Sequence, residues 1–132
     1  MPGTSSESPE LKLELPPVAR SVTTARHAVA ELARRMGASE ADVKLAVSEA
    51  VGNAVVHAFR DREPGTIRLC AWTSRGRLMV AVADNGSGMM PNPSSPGLGF
   101  GISLISRLAK DARFETSDAG TTVSMSFASR VI

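Results

Sequence analysis

A helical segment that is apolar over most of its surface carries three polar residues on one face. Within residues 42–59, Glu49, Asn53 and His57 recur at intervals of four, which aligns them along one side of a helix. The other positions, Leu45 included, are apolar enough to be buried. Burying a carboxylate and an amide is costly unless each finds a partner. The pattern predicts that a divalent cation with bound phosphate supplies those partners; the alternative is a solvated stripe on an ordinary amphipathic helix.

The composition is that of one soluble globular domain. Of the 132 residues, 42% are hydrophobic and 21% charged, which is typical of a chain that folds around its own core. We expect residues 1–10, rich in Ser, Pro and Glu, to be a flexible leader and residues 11–132 to form the domain. Without a run of 18 apolar residues or a signal peptide, a cytoplasmic protein without membrane contact is expected.

The charge pattern does not support nucleic-acid binding. The net charge is +2, the basic residues are scattered, and there are one Trp, four Phe and no Tyr. Proteins that bind nucleic acids usually have a concentrated basic face with aromatic residues for stacking. The single cysteine, Cys70, excludes an internal disulfide, and with only two His a structural zinc site is not expected.

Hydrophobic periodicity and turn residues predict the element order β-α-α-β-β-loop-α-β-β. Most of the strands belong to hairpins, so the chain is predicted to be an α+β protein: a two-layer sandwich with a mixed, mostly antiparallel sheet and three helices on one face. The predicted strands are 11–15, 66–73, 77–83, 112–116 and 121–128; the predicted helices are 18–36, 40–59 after a cap at Ser39, and 99–110.

Two glycine-containing segments point to a nucleotide. Asp84 ends a predicted buried strand, where its carboxylate can accept a hydrogen bond from an exocyclic amine such as N6 of adenine. Gly86 and Gly88 would let a flat base approach the backbone. The alternative is a simple Asp-Asn-Gly turn, but a proline-rich loop and a helix follow, which favours the functional interpretation. Gly97, Gly99 and Gly101 open the third helix, whose free N–H groups could bind phosphate.

The three segments together resemble a known superfamily. Residues 49–58, 84–88 and 97–100 are similar to the N, G1 and G2 boxes of the gyrase/histidine-kinase-type (GHKL) ATPases, which have the Bergerat-type fold. Within that superfamily, the chain from residue 11 to residue 127 most resembles the bacterial anti-sigma-factor serine/threonine kinases, including the closing Gly120-Thr-Thr122.

The resemblance implies an ATP-binding anti-sigma factor that sequesters a sigma factor and phosphorylates a serine or threonine on an anti-sigma-factor antagonist. The alternative is a non-catalytic module of the same fold, in which ATP serves only as a conformational switch. The eight residues between Gly88 and Gly97 contain no Lys or Arg, whereas the kinases have a longer lid with a basic residue, so transfer is expected to be slow. A homodimer through the sheet edge at residues 11–15 is also expected.

The resemblance also implies a role for each site residue. Glu49 would be the general base, Asn53 would ligate Mg²⁺, and Asp84 would bind adenine, with Thr122 or Thr121 nearby through a water. His57 would be mainly structural. The remaining implied residues contact the base (Gly86, Gly88), the phosphates (Gly97, Leu98, Gly99, Phe100) or a protein partner (Arg26).

Overall fold

The three-dimensional structure is a computed structural model, and it describes residues 10–58, 65–86 and 103–130. The predicted element order is found throughout this part of the chain. The strands are β1 (Leu11–Leu15), β2 (Ile67–Ser74), β3 (Arg77–Asp84), β4 (Asp111–Ser117) and β5 (Gly120–Ala128), and the helices are α1 (Arg20–Met36), α2 (Glu40–Asn53) with a π-helical continuation (Ala54–Ala58), and α3 (residues 103–108). The predicted start of the third helix, residues 99–102, lies outside the described residues.

The five described strands form one sheet in the order β1-β2-β3-β5-β4, and every pairing between them is antiparallel. Alternate residues of the three central strands are buried along one face, as the period of two requires. α1 contacts β1 and β2, α2 contacts β3, and Ile105 of α3 belongs to the same core. The predicted α+β sandwich, with its helices on one face, is therefore confirmed for the described elements.

The two predicted helix boundaries between α1 and α2 are also confirmed. Gly37 ends α1 in the left-handed conformation with a φ of 69°, and its N–H bonds back to the carbonyls of Ala33 and Arg34. Ser39 caps α2, because its side-chain oxygen accepts a hydrogen bond from the Asp42 N–H at 3.3 Å. The short connection makes α1 and α2 neighbours that pack against each other.

The outer side of α2 differs from the prediction. Leu45 was expected to be buried, but it is 45% exposed, and Val56 is 58% exposed. The core is filled instead by the residues on the opposite side of the helix, which are Val43, Ala46, Val47, Ala50 and Val51. Regular α-helix also ends at Asn53, and the wider π-helical turn that follows changes the phase of the helix before His57.

None of the described helices is both long enough and apolar enough to cross a membrane.

Candidate nucleotide-binding site

Asp84 lies at the end of β3, where three strands of the sheet align their termini. In the register, Asp84 is opposite Ile67 at the start of β2 and Thr121 near the start of β5. The carboxylate is only 8% exposed, and one of its oxygens accepts a hydrogen bond from the Gly86 N–H at 2.9 Å. This contact is the Asp-Asn-Gly turn of the alternative interpretation. The carboxylate also accepts a hydrogen bond from the Thr121 N–H, and an ionised carboxylate has about four lone-pair sites, so it can still accept a hydrogen bond from a ligand.

The surroundings of Asp84 change its protonation equilibrium. Burial raises the pKa of the Asp84 carboxyl above its ordinary value of 3.8, while hydrogen bonds from the backbone N–H groups of Gly86 and Thr121 lower it in part. A buried carboxyl that costs free energy in its ionised form is typical of a group that recognises a ligand.

Two residues that sequence reasoning did not assign fix the position of this carboxylate. A Cβ added at Gly120 would lie 1.9 Å from the Asp84 carbonyl oxygen, and Gly120 has a φ of 138°, so only glycine fits there. Asn85, the next residue, accepts a hydrogen bond from the Thr66 N–H at 2.9 Å through its side-chain oxygen. The turn after β3 is therefore held by β5 on one side and by the start of β2 on the other.

The two threonines considered for a water-mediated contact lie on different faces of β5. Thr121, which is 2% exposed, is directly across from Asp84 on the helix-covered face, and its hydroxyl is 3.0 Å from that of Thr116. Thr122 points to the other face, but it lines a cavity of about 220 Å³ at this end of the sheet together with Asp84 and Gly120. Thr121 is therefore the threonine that shares a face with the carboxylate, and the role of Thr122 stays a prediction.

The direction of α2 brings its last turn toward the same end of the sheet. The start of α2, Ser39 to Asp42, lines a cavity with Phe127 and Ala128, and Ala128 is paired with Arg77 at the end of β3 away from Asp84. A helix of 14 residues is about 21 Å long, and an eight-residue strand such as β3 is about 26 Å long. A helix of this length that starts at this cavity and runs along β3, which α2 contacts, ends toward the Asp84 end of the sheet, and Asn53 is in its last turn.

Asn53 has the properties expected of a ligand-binding amide. It is 8% exposed, and its Nδ2 is buried with no hydrogen-bond partner. An unsatisfied buried donor costs about 1–3 kcal/mol, which a phosphate oxygen would offset. A half turn of the amide would present Oδ1 instead, the atom type that Mg²⁺ prefers. Among the described residues, no cluster of three His, Cys, Asp or Glu side chains could hold a metal.

Glu49 lies one helical turn before Asn53 and is half-buried. Of the other predicted ATP contacts, Gly86 is buried beside Asp84. Arg26 is half-buried on α1, and its partner role stays a prediction. The side chain of His57 is not described. The remaining predicted site residues lie outside the described residues: Gly88, Gly97, Leu98, Gly99 and Phe100.

Comparison with known proteins agrees with this geometry. Residues 15–127 match the family described as "Histidine kinase-like ATPase domain". The chain is similar to the anti-sigma F factor of Clostridium beijerinckii, with 42% identity over 48 residues, 36% of this chain and 34% of that protein. It is also similar to the serine-protein kinase RsbW of Oceanobacillus iheyensis, with 30% identity over 134 residues, 88% of this chain and 84% of that protein. The chain thus spans about a third of the length of the first relative and most of the second.

Among solved structures, the chain resembles that of the RsbU and RsbW domains of a Mycobacterium tuberculosis protein. The TM-score is 0.70 and the sequence identity 25%, and the match covers 95% of this chain and 34% of that one.

Proposed function

The chain belongs to the histidine kinase-like ATPase domain family, and on that premise we propose that it is an ATP-dependent anti-sigma factor and protein serine/threonine kinase. It sequesters a sigma factor and phosphorylates a serine or threonine of an anti-sigma-factor antagonist. The observation that carries the proposal is the buried amide nitrogen of Asn53, which has no hydrogen-bond partner and follows Glu49 by one helical turn. The names of the two curated relatives, an anti-sigma F factor and a serine-protein kinase, support the same function.

In this proposal the adenine is bound by the Asp84 carboxylate. The carboxylate accepts a hydrogen bond from the exocyclic amine in addition to those from the Gly86 and Thr121 N–H groups, and Gly120 and Asn85 hold the turn that positions it. Asn53 is the metal ligand, and Gly86, Gly88, Gly97, Leu98, Gly99, Phe100 and Thr122 are the further nucleotide contacts. Mg²⁺, when bound, neutralises phosphate charge during transfer.

Glu49 is the general base of the transfer step. Its carboxylate accepts the proton of the attacking hydroxyl while the new oxygen–phosphorus bond forms at the γ-phosphate. The bond between that phosphorus and the bridging oxygen breaks, and ADP leaves. Phosphoryl transfer depends mainly on positioning and charge neutralisation, so a half-buried carboxylate beside a buried metal ligand is chemically sufficient. The short lid without a basic residue makes this step slow.

The protein partners are a sigma factor and the antagonist. The protein acts in the cytoplasm and binds neither nucleic acid nor membrane directly. Arg26, half-buried on α1, contributes to the partner contact. The chain also forms a homodimer through β1, which is paired with β2 on one side only and is thus an edge of the described sheet.

The test compares the rate of phosphate transfer by the Glu49→Gln variant with that of the wild type. This change preserves size and hydrogen bonding while removing basicity, so turnover with labelled ATP and an antagonist from the same organism should fall by about 10²–10⁴-fold. Nucleotide affinity, measured by calorimetry, should change little, since the base acts in the transition state. If the wild type transfers no phosphate to any antagonist of that organism but requires ATP to bind it, the protein is the non-catalytic switch. If Glu49→Gln transfers phosphate at the normal rate, the carboxylate is not the base.

A further inference from the structure

The outer side of α2 is an apolar surface that the described fold leaves uncovered. Leu45 is 45% exposed and Val56 is 58% exposed, and they are the large hydrophobic residues most exposed in the described chain. Gly52 lies between them, and a Cβ added at Gly52 would meet nothing within 4 Å. We refer to Leu45, Gly52 and Val56 as the outer α2 surface. Leu45 and Val56 are about 16 Å apart along the helix axis, a span that one docked protein segment can cover.

Gly52 has no structural reason to be glycine. It lies inside a regular α-helix, its φ is not positive, and there is open space around its α-carbon. Glycine inside a helix costs stability relative to alanine because its unfolded backbone has more freedom to lose. Since nothing within the described chain uses this position, the absence of a side chain serves close approach by another molecule.

The position of Glu49 connects this surface to the reaction. Leu45, Glu49, Gly52 and Val56 follow one another at intervals of four, three and four residues, so they lie along one side of the helix. Asn53 is turned further toward the core and is buried. The order around the helix is therefore the buried amide of Asn53, the half-buried carboxylate of Glu49, and the exposed side chains of Leu45 and Val56.

We propose that the outer α2 surface is the docking site for the protein that receives the phosphate, with Leu45 and Val56 as apolar contacts on either side of Glu49. The inference rests on the proposed function. A hydroxyl that gives its proton to Glu49 must come within about 3 Å of that carboxylate. The nucleotide lies on the Asn53 side of Glu49, so the protein carrying the hydroxyl occupies the other side. Its backbone approaches the helix at Gly52.

The test compares Leu45→Gln and Gly52→Ala with the wild type, using an antagonist from the same organism that the wild type phosphorylates. Leu45→Gln removes apolar contact area and should raise KM for the antagonist about tenfold, with kcat and ATP affinity within about twofold. Gly52→Ala should also raise KM, while its urea midpoint increases, since alanine favours the helix. Arg113→Gln, an exposed change on β4, is the control and should alter none of these values.

The outcomes separate this proposal from its premise. If the wild type phosphorylates the antagonist but both α2 variants keep the wild-type KM, the docking site is elsewhere, and the kinase function still stands. If Leu45→Gln instead weakens sigma-factor binding or converts a dimer to a monomer in sedimentation, without changing KM, the surface belongs to that other partner and the proposal is overturned. If the wild type phosphorylates no antagonist, the kinase function fails and this inference fails with it.

Discussion

Replacing Gly120 with alanine should damage the nucleotide site through the backbone of a different strand. The added Cβ would lie 1.9 Å from the carbonyl oxygen of Asp84 and 3.1 Å from the α-carbon of Asn85. For this Cβ to lie even 3.0 Å from the Asp84 carbonyl oxygen, the two backbones must separate by about 1.1 Å, the amount by which 3.0 Å exceeds the present 1.9 Å. Both atoms belong to the turn that positions the Asp84 carboxylate, so the displacement is transmitted directly to the predicted adenine contact.

The expected loss of stability has two parts. A φ of 138° is strained for alanine, which costs about 1–3 kcal/mol, and forcing a methyl group into filled space costs about 1–3 kcal/mol more. The free energy of unfolding should therefore fall by about 2–6 kcal/mol for Gly120→Ala. A displacement of about 1 Å can also cost up to about 10²-fold in the rate of phosphate transfer, and ATP affinity should fall because the acceptor for the adenine amine is displaced.

Gly76→Ala is a matched control. Gly76 also has a positive φ, 75°, but a Cβ there would meet nothing within 4 Å. This variant tests the backbone strain without the collision, so it should lose about 1 kcal/mol and bind ATP normally. Urea denaturation gives the stabilities, and calorimetry on the folded proteins gives the affinities. Equal stability and equal ATP affinity for the two variants would refute the argument that the contact between Gly120 and Asp84 shapes the site.

Three further predictions concern Asn53 and Asp84. Asn53→Ala should weaken Mg-ATP by at least about tenfold and metal-free ATP much less, since it deletes a metal ligand; calorimetry with and without EDTA checks this, and equal losses would exclude the metal role. Burial raises the pKa of Asp84, so the unfolded chain loses this proton at lower pH than the folded protein does. The free energy of unfolding should therefore fall as the pH rises from 3.8, the ordinary pKa of the carboxyl, through its raised pKa in the folded protein. Asp84→Asn should lack that fall in urea titrations between about pH 4 and pH 7. If the free energy of unfolding depends on pH in the same way in the variant and the wild type, burial does not raise the pKa of this carboxyl. The same variant should weaken ADP relative to GDP by removing the acceptor for the adenine amine, and an unchanged preference would place base recognition elsewhere.

Much of the fold could be predicted because its signals are local. Alternating apolar residues predicted β1, β2, β3 and β5, and the stops at Gly37 and Ser39 depend on neighbours within the same turn. The position of Asp84 at a strand end followed from the same kind of signal. These features need only the chemistry of adjacent residues, which a sequence displays directly.

The contact between Gly120 and Asp84 could not be predicted in this way. It depends on the pairing of β3 with β5, which are separated in the chain by residues outside the described part, by α3 and by β4. Sequence reasoning noticed Gly120 only as part of a closing motif, because its requirement for glycine arises from another strand's carbonyl oxygen. Glycines fixed by non-local contacts look like turn glycines until the register is known.

The exposed side of α2 was missed for a different reason. Leu45 and Val56 lie in a segment that is apolar over most of its surface, and such a segment gives little indication of which apolar side turns outward. That choice is made by the packing of α2 against α1 and β3. The change to π-helix at Ala54 is likewise invisible in hydrophobic periodicity, since the apolar residues continue through it.

Three departures from ordinary folding rules involve the end of β3 at Asp84 and the last turn of α2. Asp84 is a buried carboxyl whose ionised form is disfavoured, Asn53 has a buried amide nitrogen without a partner, and Gly52 weakens its helix without relieving any crowding. Each of these lowers the stability of the protein without ligands. A sequence selected only for stability would remove them, whereas a bound nucleotide and a docked protein would offset all three costs. These three costs therefore support, independently of the comparisons, the proposal that a nucleotide and a protein partner bind at this end of the molecule.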